Sequence, residues 1–497
     1  MKVKAFEEWS DGLDVRRPKN LDNPDSLIRL HNAYITSGGA IKIREGAKPY
    51  LSNAESPWNS TEVGGLAGHN GKLITASQAS WKLVKSGGID SPDLWCYRVE
   101  GYGKVANINF CGGFNTGLVF NVTYETGRSR MYWSPDSEPG NCVHPSGSPE
   151  TEHTVIFQQR VYMISEDGKS VKYSKLSDPN TWTGTDTGFI ATGEVSIGSN
   201  TATGLALINN RLIVFMEDAI QIWALDPDPK RVELEEQVSG IGSRWGHTAV
   251  TVNKDVFFLS DLGIRSLTSQ NAFQNIKGSD IGSAIDPLVQ AHIRNGIGYV
   301  DAEFYPGMGQ YWLTIRDAPG GSVDEIFVLS KSSADKLNAW STYHIGNTTW
   351  SMNQLSHLGA RMYVLNQVDQ RIYQFDEDVD GDGGVQTAFD VEIETPFYGF
   401  GLEGQYKMMM GMEAIFEGKA TIDHCVNPNN MDDRTHSFDV IGDTRTKPSL
   451  PIGILAPTIS TRIKAKSKYP DEKGQKIPGF KTLNSLIYRY QETRGGI

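Results

Sequence analysis

Seven times between residues 72 and 375 the chain repeats one short pattern: an apolar or alternating run rich in β-branched and aromatic residues, a tight turn, and a second such run. The copies span residues 72–83, 117–133, 161–174, 211–223, 255–267, 309–329 and 361–375, and successive copies start 44 to 54 residues apart. Alternation of this kind marks strands, and a short Gly-containing break between two of them marks a hairpin. A two-strand unit cannot bury its own faces, so units recurring at about 40–50 residues must stack on one another. The spacing points to an all-β fold, a β-propeller of about six blades; stacked sheets or a sandwich would use the same hairpins.

The turns carry physical content. Asp167-Gly168 lies between Val161-Tyr-Met-Ile and Val171-Lys-Tyr, and supplies the positive φ angles of a hairpin turn. Leu262-Gly263 and Pro319-Gly320-Gly321 are similar punctuation. The unbroken run Leu212-Ile-Val-Phe predicts a strand buried on both faces. Trp182, Trp223 and Trp340 fall near the ends of repeats, where neighbouring blades would pack. Helix is scarce: Asn23-Pro24-Asp25 before Leu27, Ile28 and Leu30 reads as a capped first turn, and residues 283–293 as a second short helix.

Two segments fall outside the repeat. Residues 1–60 precede it, and residues 377–497 follow the propeller at 61–376 with further strand patterns, at 389–393, 407–416, 458–466 and 485–490. The two ends are expected to meet in an additional β domain, a platform beside the propeller.

Composition bounds what such a body can do. The formal net charge is −12, whereas proteins that grip nucleic acid by neutralising phosphate are usually basic. The sequence opening, Met-Lys-Val-Lys-Ala-Phe-Glu-Glu, lacks the apolar run of a secretory signal, and no stretch reads as a bilayer span, so no membrane insertion is expected. Cys96, Cys111, Cys142 and Cys425 are scattered without a CxxC and read as reduced thiols of a protein made in a cytoplasm.

Residues 12–18 (Gly-Leu-Asp-Val-Arg-Arg-Pro), 23–34 (Asn-Pro-Asp-Ser-Leu-Ile-Arg-Leu-His-Asn-Ala-Tyr) and 38–46 (Gly-Gly-Ala-Ile-Lys-Ile-Arg-Glu-Gly) form an ordered series. Later fragments extend it: Tyr132-Trp-Ser-Pro-Asp, Ser177-Asp-Pro-Asn-Thr-Trp, residues 204–215, Leu337-Asn-Ala-Trp-Ser and Thr395-Pro-Phe-Tyr-Gly-Phe. Together they resemble the tail nozzle, or tail tubular protein B, family of short-tailed bacteriophages, and the similar packaged-DNA-stabilisation proteins. The basic segment after Thr461 departs from that pattern. The resemblance implies a virion protein of the short tail, assembled in the bacterial cytoplasm as a homohexameric ring below the head–tail adaptor. Its partners would be sister subunits, the adaptor, tail fibres or tailspikes, and double-stranded DNA passing through the lumen.

Local features supply candidate sites. Asp378, Asp380 and Asp382, followed by Gly383, match the first half of an EF-hand loop, which would hold a structural Ca²⁺. The twelfth position is Phe389 where the motif needs Glu, and a polar Gly-rich turn explains the same residues. No other cofactor is expected. Arg462, Lys464, Lys466 and Lys468 would share one face of a strand, for DNA or partner contact or as the guard of an edge strand. The run Met408-Met-Met-Gly-Met412 suits core or interface packing, and His69, His144, His153 and His247 show no metal-ligand spacing.

No HExxH or GxSxG motif is present, so an enzyme is not expected. The competing readings are a sialidase-like propeller glycosidase and a carbohydrate-binding adhesin. Ser165-Glu-Asp167 begins like a sialidase box, but Lys169 and Lys172 stand where Gly and Trp belong.

Overall fold

The computed structural model describes residues 1–16, 25–50, 63–78, 82–84, 92–115, 117–135, 142–269, 276–279, 281–318, 325–332, 337–346, 352–366, 368–369, 371–383, 386–402, 404–442, 449–471 and 476–493. The chain is a β-propeller joined to an additional β domain built from its two ends. Seven blades make the propeller, rather than about six: six are separate sheets and one is the first four strands of a 16-stranded sheet, and each repeat copy falls on one blade. Blade 1 lies within residues 63–98, blade 2 within 105–134, blade 3 within 154–190, blade 4 within 202–239, blade 5 within 250–279, blade 6 within 297–343 and blade 7 within 352–376.

The repeat is the hairpin of the second and third strands, as in Arg211–Met216 paired with Ala219–Ala224 in blade 4. Blade 1 differs. Its Lys72–Ser77 strand pairs in parallel with Asp93–Arg98, and Lys82–Val84 attaches outside that strand, so residues 72–83 are not a hairpin. In blade 2 a single bridge from Val143 to Trp133 stands where a fourth strand would. The innermost strands, which begin at Val63, Val105, Thr154, Ala202, Val250, Ile297 and Met352, each meet the next in order, and the last meets the first.

Each pair of neighbouring blades encloses its own apolar core, which is the physical reason the sheets stack. Blade 4 shows how one strand serves two cores. Leu212 and Val214 face blade 3, while Ile213 and Phe215 face blade 5, all fully buried. The unbroken run is therefore a strand buried on both faces.

Ring closure comes from the N-terminal segment. Gly46–Pro49 is the outermost strand of blade 7 and pairs antiparallel with Arg371–Asp376, so the propeller recruits chain from before residue 61. The seam between blades 5 and 6 opens into the largest core, which continues into the second domain. There the outer strand of blade 6, Leu337–Tyr343, meets Arg29–His31 in parallel. The same sheet runs on through Asp390–Glu394, Ser460–Lys466 and the 19-residue strand Lys407–Cys425 to Thr482–Glu492. Lys2–Phe6 pairs with Thr482–Glu492, so the first and last strands of the chain are neighbours.

The helix expected at 283–293 is Asp286–Asn295, with Pro287 in its first turn. The helix expected after Asn23-Pro24 is absent where the structure describes the chain. Leu27 and Leu30 lie in the strands Ser26–Leu27 and Arg29–His31, and Asn23 and Pro24 lie outside the described residues. Pairing of Arg29–His31 with Asp390–Glu394 overrides the local capping signal. Among the described residues no helix is long and apolar enough to cross a membrane.

Candidate functional site: the propeller channel

The seven innermost strands surround a channel whose two connected lobes have volumes of about 570 and 480 Å³. Side chains lock neighbouring blades around it. Gln354 of blade 7 accepts from the Leu66 N–H of blade 1 (2.8 Å) and the Ile108 N–H of blade 2 (3.1 Å), and donates back to the Ile108 carbonyl. Ser356 accepts from the Gly68 N–H at 2.8 Å. Asp301 of blade 6 accepts from the Leu355 N–H of blade 7 at 2.8 Å. These polar side chains satisfy inner-strand N–H groups across the seams between blades.

The channel wall is acidic and imidazole-rich. Glu152, Asp301 and Glu303 line it with His153, His247 and His357, and no lysine or arginine is among the described residues of either lobe. Glu303 meets His357 Nδ1 at 3.0 Å, and that bond raises the imidazole's pKa. His153 lies 3.2 Å from Glu152 and its hydrogen bond holds the carboxyl down at about 2. Burial pushes the Asp301 carboxyl up to about 7, against the opposing pull of the Leu355 and Ala302 N–H bonds. The His247 ring is open to the channel, yet the surrounding protein lowers its pKa. Two of the three acids on the wall, Glu152 and Glu303, thus meet imidazole partners. A channel of this size takes small molecules; duplex DNA, with a major groove alone about 12 Å wide, does not fit it.

These lining residues were not singled out by the sequence, apart from His153 and His247. A signal was present: Asp301 and Glu303, and Gln354 and Ser356, are polar pairs two residues apart, which puts each pair on one face of its strand.

The three expected Ca²⁺ ligands are not brought together. Asp382 is fully buried and gives both carboxylate oxygens to Arg44, at 2.9 and 2.5 Å. Asp380 pairs with Lys481, and the Asp378 N–H donates to Asp376. The loop wraps Gly46 and Ala47, whose N–H groups donate to the Val379 and Gly381 carbonyls. A guanidinium occupies the place a cation would need, so the Ca²⁺ loop is corrected to a buried ion pair. Among the described residues no cluster of His, Cys, Asp and Glu could hold a metal.

Arg462, Lys464, Lys466 and Lys468 do share a face, with Ile463, Ala465 and Ser467 turned inward. Their strand is not an edge: Ser460–Lys466 lies between Asp390–Glu394 and Lys407–Cys425. Arg462 pairs with Asp423 at 3.1 Å, Lys464 with Glu392 at 3.9 Å and Lys466 with Asp390 at 3.5 Å. Lys468 alone of the four has no ion-pair partner among the described residues. Acids on the flanking strands thus neutralise most of the row.

Met409 and Met412 are buried in the core, Met408 is half-buried and Met410 is exposed. Ser165 and Asp167 form a hairpin turn in which Asp167 accepts from the Ser165 hydroxyl (2.5 Å) and the Lys169 N–H (3.1 Å). All four cysteines are free thiols.

The chain matches no family model and no curated protein. Among solved structures it is similar to BamB from Moraxella catarrhalis, with 11% identity over 63% of this chain and 94% of that one, at a TM-score of 0.35. The C-terminal WD40 domain of Sif2 shares 10% identity over 74% of this chain and 99% of its own, at 0.38. YCF48 bound to D1 peptide shares 11% over 66% and 97%, also at 0.38. Likeness at that level carries no information about function.

Proposed function

We propose that the chain is a non-enzymatic structural subunit of a short phage tail. Copies form a homohexameric ring below the head–tail adaptor, hold packaged DNA and pass it outward on ejection. The reading rests on the ordered resemblance to tail nozzles, and one structural observation supports it most. The family-like opening, residues 25–46, is where the two bodies of the subunit join. Leu27, Leu30 and Ile43 are in the shared core, Arg44 is the buried hub of the junction, and Gly46 starts the strand that closes the propeller. The opening stretch of a resemblance that is spread over most of the chain thus runs through the joint of the subunit, as fits a part that must keep one geometry in a ring wall.

The size of the channel adds a constraint. Because a duplex does not pass through one subunit, the DNA conduit of this reading lies between subunits. An acidic chain lining it would repel DNA of like charge and reduce sticking during passage. The channel lining holds no arginine among its described residues, so the sialidase-like alternative gains no support from it.

Immunogold electron microscopy of virions from the infected host tests the proposal. Gold confined to the short tail below the head vertex is the expected result. Unlabelled particles, in preparations where the denatured protein is readily detected, would refute it.

A further inference from the structure

The larger lobe of the channel holds one acid that the chain leaves without a cation. Asp301 and Glu303 are alternate residues of Ile297–Tyr305, the inner strand of blade 6, so they share a face and lie about 6–7 Å apart along it. Both turn to the seam with blade 7: Asp301 accepts from the Leu355 N–H at 2.8 Å, and Glu303 meets His357 Nδ1 at 3.0 Å. Both line the same lobe, of about 570 Å³. Glu303 uses one oxygen, Oε1, for His357 and the Phe304 N–H, and its Oε2 has no hydrogen-bond partner among the described residues. Asp301 has hydrogen bonds but no ion pair. Its oxygens take the Leu355 and Ala302 N–H groups, and Tyr299 adds a side-chain bond. Burial, and beyond it the Glu303 charge, raise its carboxyl to about 7, as expected where no cation faces it. No lysine or arginine is among the described residues of the lobe. Residues 51–62 and 347–351, which precede the inner strands of blades 1 and 7, contain none.

We propose that the channel binds a small organic cation, a primary ammonium held between the Asp301 carboxylate and Glu303 Oε2. A carboxylate offers about four acceptor sites, and an ammonium carries three donors and no acceptor. The wall thus presents what an ammonium needs, and an acid in a closed-in site is normally paired. A metal ion fits less well, because among the described residues no cluster of His, Cys, Asp and Glu could hold one. The lobe is larger than an ammonium group, so an alkyl chain attached to it has room to lie along the channel. The site is independent of the tail reading, since nothing in it depends on a ring or on DNA.

The test is equilibrium dialysis of the full chain against radiolabelled n-butylamine, which is protonated at neutral pH, in a constant background of sodium chloride. Saturable binding is expected, and 1-butanol, of like shape without the charge, should not displace the label. Asp301→Asn keeps an oxygen for the Leu355 N–H but loses the charge, and should weaken butylammonium by about tenfold or more. Glu303→Gln should weaken it as well, and carries the test if Asp301→Asn does not fold. Uptake that never saturates, displacement by butanol, or an unchanged affinity in either folded variant would overturn the proposal. Potassium or magnesium displacing the label at lower concentration than unlabelled butylammonium would overturn it too, by showing a site for inorganic cations.

Discussion

Arg44 and Asp382 meet in a bidentate ion pair with about 1% of each side chain exposed. The guanidinium is fully satisfied: it also donates to Asn32, to the Glu45 and His344 carbonyls, and lies 3.8 Å from the centre of the Phe389 ring. Asp382 in turn accepts from the N–H groups of Ala47 and Gly346. One pair thus ties the closing strand of the propeller, the end of blade 6 and the terminal domain together. Removing one partner strands a buried charge, which costs about 3–5 kcal/mol. Asp382→Asn and Arg44→Met are each expected to lower the urea midpoint by a corresponding amount. Arg44→Met combined with Asp382→Leu should be less destabilised than the sum of the two single changes. A double-mutant cycle showing simple additivity would refute the coupling.

Gly46 marks the other half of that closure. A Cβ there would overlap the Val379 carbonyl oxygen and lie 2.5 Å from that of Gly381, both backbone atoms that cannot swing away. Gly46→Ala should therefore destabilise by at least the about 1–3 kcal/mol typical of overpacking, and amide exchange should accelerate first along Arg371–Asp376, the strand it pairs with. Unchanged protection of that strand would show that the N-terminal strand does not close the ring.

Blade hairpins were legible because their periodicity and turns are local: Asp167-Gly168 and the apolar run at Leu212 needed no knowledge of the rest of the chain. What decided other segments was distant. The stretch from Asn23 to Leu30 reads locally as the capped first turn of a helix, yet Arg29–His31 is a strand because its partners lie some 310 and 360 residues away. The aspartates at 378, 380 and 382 matched a calcium loop because a motif records spacing and not where each carboxylate turns. Asp382 turns inward to Arg44, a residue 338 positions away. The lysine row was placed correctly on one face by alternation, but alternation cannot tell an edge strand from an interior one. The channel was invisible for the same reason, since it exists only once seven inner strands converge.

His292 predicts a pH dependence. Its Nδ1 lies 2.6 Å from Asp317 and its Nε2 3.0 Å from Glu325, so only the imidazolium can donate to both. The Glu325 hydrogen bond, the larger cause, and the Asp317 bond raise its pKa above 6.5. A raised folded pKa contributes stability that is fully present below 6.5 and is lost as pH rises through the folded value. The stability difference between the native protein and His292→Gln should accordingly shrink as pH climbs from 6 toward 9. A difference that is flat or grows over that range contradicts the assignment.

His31 and His424 predict the opposite limb. Burial is the main cause that holds each down at about 4, with Arg44 adding for His31 and His436 for His424. Each ring keeps a Thr hydroxyl partner through Nδ1, Thr342 and Thr461 respectively. With folded values depressed, the neutral rings contribute stability above 6.5 that is lost as pH falls toward 4. Carboxylates titrate in part of that range, so the variants rather than the native curve carry the test. His31→Gln and His424→Gln should each flatten the loss of thermal stability between pH 6.5 and 4, and a variant that tracks the native slope would remove that histidine from the account.

Gln354 tests whether the channel wall holds the propeller shut or merely lines it. Its carbonyl oxygen takes two backbone N–H groups, Leu66 of blade 1 and Ile108 of blade 2, and its amide returns one bond to Ile108. Three blades thus meet at one side chain. Gln354→Leu keeps the volume and leaves both N–H groups without an acceptor, at about 1–3 kcal/mol each. Gln354→Glu keeps the acceptor but loses the donor and adds charge to a wall that already carries Glu152, Asp301 and Glu303. Hydrogen exchange at Leu66 and Ile108 is expected to rise sharply in Gln354→Leu and only slightly in Gln354→Glu, while the outer strands of the same blades stay protected in both. Equal exchange at Leu66 in the native protein and Gln354→Leu would mean that apolar packing between blades 7, 1 and 2 suffices, because the buried clusters joining Leu66 to Tyr363 and Ile108 to Phe120 remain intact in either variant.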